Sequence, residues 1–404
     1  MKVVSGGVTA AKGFTAGGVH CGIRKSRTKR DLGLIYSEVP CSAAAVYTTN
    51  LVKGAPLLVT KNHLADGVAQ ACIINSGNAN TCNANGVEIA EATCLLVANA
   101  LNIKKDDVVV ASTGVIGQPM TIEPFEKGIP ALVKDLSKDG SDRAAEAIMT
   151  TDTVKKEVAI SFELGGKTVT LGGIAKGSGM IHPNMATMLV FLTTDCAISS
   201  ALLQKALSTD VQSSFNMVSV DGDTSTNDMV VILANGLAGN APITEENEDF
   251  ALFMKALNTV TVALCKALAA DGEGATKFLE CKVTGAKSLA DAKKAAKAVI
   301  CSSLLKAAMF GADAHWGRVL CAIGYSGAET DVTKIDVAFC SAKGSITVCE
   351  MGSSVDFSEE KAKEILSEKE ITIAVTMHDG DASSVAWGSD LTYEYVRING
   401  DYRT

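Results

Sequence analysis

Lys176-Gly-Ser-Gly-Met-Ile-His-Pro-Asn-Met-Ala-Thr-Met-Leu-Val-Phe-Leu-Thr-Thr194 is the stretch on which the reading of this chain turns. A glycine-rich approach runs into Pro183 and Asn184, and the small residue Ala186 stands directly before Thr187. An apolar, strand-like run begins at once. The arrangement suits a peptide bond attacked by the hydroxyl on its own C-terminal side. Cleavage between Ala186 and Thr187 leaves Thr187 as a new N-terminus holding both a hydroxyl and a free α-amine. With a reference pKa of about 7.7–8.0, that amine is a usable general base near neutral pH. Threonine paired with its own amine is an established form of activated nucleophile.

Around this stretch, short apolar strands alternate with helices. Residues 168–171 read as a strand leading through Gly172 and Gly173 into the glycine-rich approach. In the first 120 residues, 31–36, 43–48, 56–60, 71–75 and 108–112 read as strands between Gly- and Asn-rich turns. Residues 87–101 have helical spacing, and 141–149 read as a helix with Ser141 near its N-cap. Beyond Thr187 the expected order is strand, helix 200–213, polar loop 221–228, strand 229–233 and long helix 245–270. Residues 290–310 read as a further helix, and 335–339, 345–350, 370–377 and 392–398 as short strands. A change of pattern near residue 281 divides the chain into a catalytic α/β domain, 1–280, and a smaller C-terminal domain, 281–404.

Composition sets the class. With 47% apolar residues, only 5% aromatic and 36 glycines, a 404-residue chain suits a compact α/β enzyme with a large core. Thirty-seven basic against 45 acidic residues leave a net charge of −8. No long basic run stands out, so nucleic acid and anionic membrane are poor partners. No run of about 18 apolar residues offers a membrane span. The opening Met1-Lys-Val-Val-Ser-Gly-Gly-Val-Thr9 lacks the apolar core of a signal peptide, so the cytoplasm is expected. The twelve cysteines contain no Cys-x-x-Cys pair, and Cys265 and Cys321 are among those in apolar runs. They read as small buried hydrophobes in a reducing compartment.

Self-cleavage at Thr187 needs donors for a developing oxyanion. Thr113-Gly114, closing the strand-like run Val108–Ser112, has the right form, one hydroxyl and one backbone N–H, although ordinary turns share it. Lys176 reads as a loop lysine, either solvated or placed to receive a substrate carboxylate as a point charge. Glu273 stands between two glycines after a helix, either as a solubilising residue or as the partner of a substrate ammonium. Thr150-Thr151-Asp152-Thr153 is a hydroxyl cluster or simply a helix end. Two motifs fail. The loop Asp221-Gly-Asp-Thr-Ser-Thr-Asn-Asp228 resembles a calcium loop, but Thr226 replaces the glycine and Ile232 the bidentate Glu. The glycines of 6–18 do not follow a buried strand, so a dinucleotide site is not expected. His20, His63, His182, His315 and His378 form no cluster with metal-ligand spacing, so no metal or cofactor is inferred.

The run from Lys176 to Leu189 resembles the self-processing site of the ornithine acetyltransferase (glutamate N-acetyltransferase) family of arginine biosynthesis. The likeness extends over essentially the whole chain. It includes Gly7-Val-Thr-Ala-Ala-Lys-Gly-Phe14, Asn75-Ser-Gly-Asn-Ala-Asn80, Ala111-Ser-Thr-Gly-Val-Ile-Gly117, Met149-Thr-Thr-Asp-Thr153, Asp271-Gly-Glu-Gly-Ala-Thr-Lys277 and the ending from Trp387 to Thr404. It departs at Ala314-His315, where Pro-Asn is usual, and at Ser389, where Cys is common. The resemblance implies a layered α/β sandwich with a smaller C-terminal domain, cut between Ala186 and Thr187 into α and β chains that assemble as α2β2. It implies Thr187 as nucleophile, Thr113 and Gly114 as the oxyanion hole, and Thr150, Lys176, Thr187, Glu273, Asn399 and Thr404 as substrate contacts, with Thr151 the alternative to Thr150. The implied reaction moves acetyl from N2-acetylornithine to glutamate through an acetyl-Thr187 ester. Some members of that family also accept acetyl-CoA. A self-processing aminopeptidase or amidase with the same nucleophile is the alternative activity.

Overall fold

The computed structural model describes residues 1–26, 28–182 and 188–401. Among them, nine strands form one mixed sheet and seven a second. The first runs in the order Lys2–Val4, Lys156–Leu164, Lys167–Lys176, Leu189–Thr194, Met229–Ala234, Leu32–Tyr47, Val68–Asn75, Val108–Ser112, with Phe14–Val19 paired to Leu32–Tyr47. Its centre is the parallel pair Leu189–Thr194 and Met229–Ala234, in register from Met229 opposite Leu189. Leu189, Phe191, Met229, Val231 and Leu233 fill the core on one face. Val190, Leu192, Val230, Ile232 and Ala234 fill the core on the other. Alternation with a period of two, buried on both faces, is why the sequence after Thr187 reads as an unbroken apolar run.

Parallel strands need a crossover, and helix Ser200–Asp210 lies within it, its Ser199 cap accepting a hydrogen bond from Leu202 N. Helix Glu248–Ala270 is long and apolar enough to cross a membrane by composition alone. Its apolar positions Phe250, Phe253, Leu257, Val260, Leu264 and Leu268 are instead buried in the core, and it contacts strands of both sheets. The second sheet orders Ser353–Ser354, Gly344–Glu350, Asp336–Ser341, Glu370–Thr376, Phe278–Ala286, Ala382–Ser389 and Val218–Ser219. Helix Leu289–Cys301 packs on it. The result is a layered α/β sandwich whose two sheets share one buried core, with Val190 and Leu192 of the first and Leu279 and Ile373 of the second in it.

Several expectations are corrected. Residues 56–60 belong to helix Ala55–His63, which Pro56 opens; a short apolar run does not by itself tell strand from helix. The segments 31–36 and 43–48 are one strand, Leu32–Tyr47, whose register against Val68–Asn75 shifts between Tyr36 and Cys41. Pro40, which has no N–H to donate, sits at that irregularity. Strand 168–171 extends to Lys167–Lys176, and Lys156–Leu164 was not anticipated. Residues 290–310 form two helices, because Ser302 caps a second one, Ser303–Phe310. The last segment is not a strand but helix Tyr393–Asp401, with no buried residue and hence no apolar period to read. Ser141 does lie next to the N-cap, Gly140, as the first residue of its helix, and its Oγ accepts from Val8 N and donates to Glu157. All twelve cysteines are free, but Cys82 and Cys321 are exposed, contrary to the buried reading.

Candidate active site

Strands Val108–Ser112 and Lys167–Lys176 end beside the loop 221–228, and the residues that follow them close a cleft of about 730 Å3. Thr113, Gly114, Thr150, Lys176, Glu273 and Asn399 all line it. Met188, the first described residue after the expected cleavage site, lines it as well. Ala186, Thr187 and Thr404, the other expected site residues, lie outside the described residues.

The Thr113-Gly114 turn has a defined donor inventory. Thr113 N–H is occupied by Asn75 O at 2.9 Å, whereas the Gly114 N–H has no acceptor among the described residues. Gly114 has φ +132°, and a Cβ on it would come within 2.7 Å of Gly77 C and Asn78 N, so only glycine fits. Lys176 Nζ donates to Thr113 Oγ1 at 3.5 Å, which leaves the threonine hydroxyl proton free to point elsewhere. The turn therefore presents one N–H and one O–H, the two donors an oxyanion needs.

Lys176 is not a solvated loop lysine. It is the last residue of its strand and is only 8% exposed. Burial pushes its ammonium below the usual lysine value, opposed by Asp152 and then Asp228. Asp152 is the centre of the polar layer beneath it. Its Oδ1 accepts from Gly177 N at 2.7 Å and its Oδ2 from Thr150 N at 3.0 Å, so one carboxylate fixes the backbone beside two pocket residues. Burial alone would raise this carboxyl, but Lys176 and Lys156 overcome it and hold it at about 2. Lys156 continues the network to Asp271 Oδ2 at 2.6 Å, and Asp271 accepts from Thr153 N at 3.0 Å. The threonine cluster after helix Ser141–Ile148 is thus anchored from below, with Thr150 and Thr151 both left lining the cleft.

Glu273 is likewise buried, at 8% exposure, and not a surface turn residue. Its Oε2 accepts from Asn399 Nδ2 at 2.6 Å. Gly179 passes so close that a Cβ would lie 2.3 Å from the Glu273 carboxyl, which explains a glycine at that position. The final helix is docked by an edge-on ring contact between Tyr393 and Phe310 and by polar contacts. Thr392 Oγ1 donates to Gly274 O at 2.7 Å, and Tyr395 OH donates to Asp221 Oδ2 at 3.2 Å.

The residues that sequence reasoning passed over lie in the rejected calcium-like loop. Asn227 Oδ1 accepts from Thr81 at 2.6 Å while its Nδ2 donates to Ser112 O at 3.0 Å, tying the loop to the strand that delivers Thr113. Asp228 lines the cleft, is 3% exposed, and its Oδ2 has no hydrogen-bond partner among the described residues. Burial raises its carboxyl well above the ordinary value, against the pull of Ser225 and Lys176. Its signal in the sequence was the density of acceptors in 221–228, which was weighed only as a metal loop.

A layered α/β sandwich with a cleft lined by Asp228, Glu273, Lys176 and the Thr113-Gly114 donors suits an enzyme acting on small polar molecules. The chain belongs to the ArgJ family, whose sequence model matches residues 15–404. It is 51% identical over 405 residues to the arginine biosynthesis bifunctional protein ArgJ of Caldanaerobacter subterraneus subsp. tengcongensis, covering 100% of each chain. It is 50% identical to the protein of that name from Thermotoga neapolitana, covering 97% of this chain and 99% of the other. The crystal structure of the Bacillus halodurans protein ArgJ is similar with 48% identity and a TM-score of 0.50, covering 52% of this chain and 98% of that chain.

Proposed function

We propose that this chain is a glutamate N-acetyltransferase that cuts itself between Ala186 and Thr187 and then uses Thr187 to carry acetyl from N2-acetylornithine to glutamate. It is an acyltransferase of arginine biosynthesis. The observation that carries the reading is the convergence of Thr113, Gly114, Thr150, Lys176, Glu273 and Asn399 on one cleft beside Met188.

The Thr187 amine takes the hydroxyl proton as Oγ attacks the acetyl carbonyl, and Thr113 Oγ1 with Gly114 N–H holds the oxyanion. Ornithine leaves with that proton, and the acetyl ester remains. Glutamate enters the vacated cleft and its α-amine takes the acetyl group, giving ping-pong kinetics. Both substrates are α-amino acids, so one cleft serves both half-reactions. Lys176 receives the shared carboxylate, Glu273, oriented by Asn399, the amine-bearing end of ornithine, and Thr404 completes the contacts. Exclusion of water directs the ester to glutamate and away from hydrolysis. Acetyl-CoA is a further donor, and no metal or bound cofactor takes part.

The sheet supports lasting association of the two chains after cleavage. Leu189–Thr194, on one side of the cut, pairs with Lys167–Lys176, on the other, and Met229–Ala234 pairs with Leu32–Tyr47. The Bacillus halodurans chain, about half as long as this one by its coverage, fits a protein found in two pieces. The chains assemble as α2β2 in the cytoplasm, where twelve free cysteines persist.

The deciding experiment is the mass spectrum of denatured protein beside its Thr187→Ala variant. Fragments of roughly 19 and 23 kDa, scaled from 41.8 kDa, are expected in wild type alone. Acetylornithine should then disappear only when glutamate is supplied. An intact chain in both samples removes the base and nucleophile together.

A further inference from the structure

Asp221, the first acceptor of the loop that resembles a calcium site, is partly buried and spends both oxygens on protein donors. Its Oδ2 accepts from Met180 N at 2.6 Å and from Tyr395 OH at 3.2 Å. Its Oδ1 accepts from Ile181 N at 2.9 Å and from Asp223 N at 3.2 Å. One carboxylate therefore joins two segments far apart in the chain, the approach to the expected cleavage site and the terminal helix.

Both segments lead to Glu273. On the first route, Met180 has φ +54°, a left-handed conformation that a residue with a side chain keeps only when its surroundings hold it. The paired bonds from Met180 N and Ile181 N to Asp221 supply that hold. Gly179, the residue before, packs against the Glu273 carboxyl, and Ser178 O accepts from Glu273 N at 3.0 Å. On the second route, Asn399 Nδ2 donates one hydrogen to Tyr395 O at 3.0 Å and the other to Glu273 Oε2 at 2.6 Å. Met180, Glu273 and Asn399 line the cleft, whereas Asp221 stands behind them.

A carboxylate gripped by a glycine wall on one side and an amide on the other keeps one position, and a charge partner binds more tightly when that position need not be ordered on binding. We infer that Asp221 is the positioning residue for Glu273. By tying the Met180 wall to the terminal helix, it fixes the carboxylate that meets the amine-bearing end of acetylornithine, and so sets the preference for that donor. The inference rests on the proposed role of Glu273. Glutamate carries a second carboxylate where ornithine carries its amine, so its half-reaction gains nothing from the same contact. In a ping-pong sequence kcat/KM for each substrate reports its own half-reaction, and the two effects separate.

The test compares wild type, Asp221→Ala, Tyr395→Phe and Glu273→Gln by steady-state kinetics on both substrates. In Asp221→Ala, kcat/KM for acetylornithine should fall about tenfold or more. Tyr395→Phe removes one bond and leaves the Met180 wall held, so it should cost about threefold. The value for glutamate should not fall in either variant. Adding Asp221→Ala to Glu273→Gln should cost little beyond Glu273→Gln alone, because the two act on one contact. If Asp221→Ala yields no folded, processed protein, Tyr395→Phe carries the same cycle with Glu273→Gln. An equal fall for both substrates overturns the inference by making Asp221 a structural residue. An unchanged value for acetylornithine overturns it too, and so does an additive double variant. A Glu273→Gln variant that loses nothing selectively is a different failure, which removes the proposed role of Glu273 and this inference with it.

Discussion

Lys156 and Asp152 form an ion pair at 2.7 Å with no exposed side-chain surface on either residue. Through Thr150 N and Gly177 N, the same carboxylate holds two walls of the candidate active site. Replacing Lys156 by Met leaves Asp152 and Asp271 charged and buried, a loss of about 3–5 kcal/mol. Urea denaturation should show it as a lower midpoint with an unchanged slope. The pair also sets an acid limit. Asp152 falls from an ordinary 3.8 to about 2 in the folded state. A depressed carboxylate contributes fully above its unfolded value and loses that contribution as pH falls through its folded one. About 2 kcal/mol should therefore disappear between roughly pH 4 and pH 2. An Asp152→Asn variant should be less stable at pH 7 and show a flatter profile in that window.

Thr113→Ala should lower kcat by about 10²–10³-fold with little change in melting temperature, because it removes one proposed oxyanion donor and leaves the backbone bond to Asn75 intact. Gly114→Ala should do at least as much, since its Cβ meets Gly77 and Asn78 at 2.7 Å. Both variants should also slow the appearance of fragments, which is read by gel after pulse expression. Normal turnover in Gly114→Ala would contradict the assignment.

Lys176→Ala should raise KM for acetylornithine and glutamate together, by about tenfold or more, because in the proposed reaction one ammonium serves the carboxylate of both. Steady-state kinetics on each substrate decides it. A variant with wild-type KM for both would remove Lys176 from the contact set.

Asp228 makes the opposite kind of prediction. Burial favours its neutral acid, so Asp228→Asn, which keeps shape and neutrality, should retain kcat/KM within about tenfold. Asp228→Leu, which removes the polar atoms from the cleft, should lose considerably more. Equal loss in both would mean that the ionised carboxylate is the working form.

The fragments left by the proposed cleavage should co-elute under native conditions and separate only in denaturant, because Leu189–Thr194 is hydrogen-bonded to Lys167–Lys176 and Met229–Ala234 to Leu32–Tyr47, each pair crossing the cut. Size exclusion with and without urea tests this. Dissociation in native buffer would contradict the observed pairing.

The strands Val68–Asn75, Val108–Ser112, Leu189–Thr194 and Met229–Ala234 were legible because they are buried on both faces and so read as apolar runs, whereas Lys156–Leu164, with exposed positions, was not. The final helix was not, because Thr392, Tyr395 and Asn399 dock it through side-chain hydrogen bonds and leave no apolar stripe. The boundary at Ser302 was missed because two helices separated by a single serine share one apolar pattern. Lys176 and Glu273 were legible as candidates, yet their burial was not, since glycine-rich flanks look the same in a solvated loop and in a crowded cleft.

By itself the sequence determined the α/β class and the central strands, and it singled out Thr187 as the expected nucleophile, with the residues expected around it named through a family resemblance. These depend on chemistry and periodicity within a few neighbouring residues. The tertiary structure alone decided that Thr113, Thr150, Lys176, Glu273 and Asn399 share one cleft, and that Asp152 and Lys156 brace it. It alone put Asp228 in the cleft wall. Those facts depend on strands and loops far apart in the chain being brought within hydrogen-bond reach, and no local pattern encodes that distance.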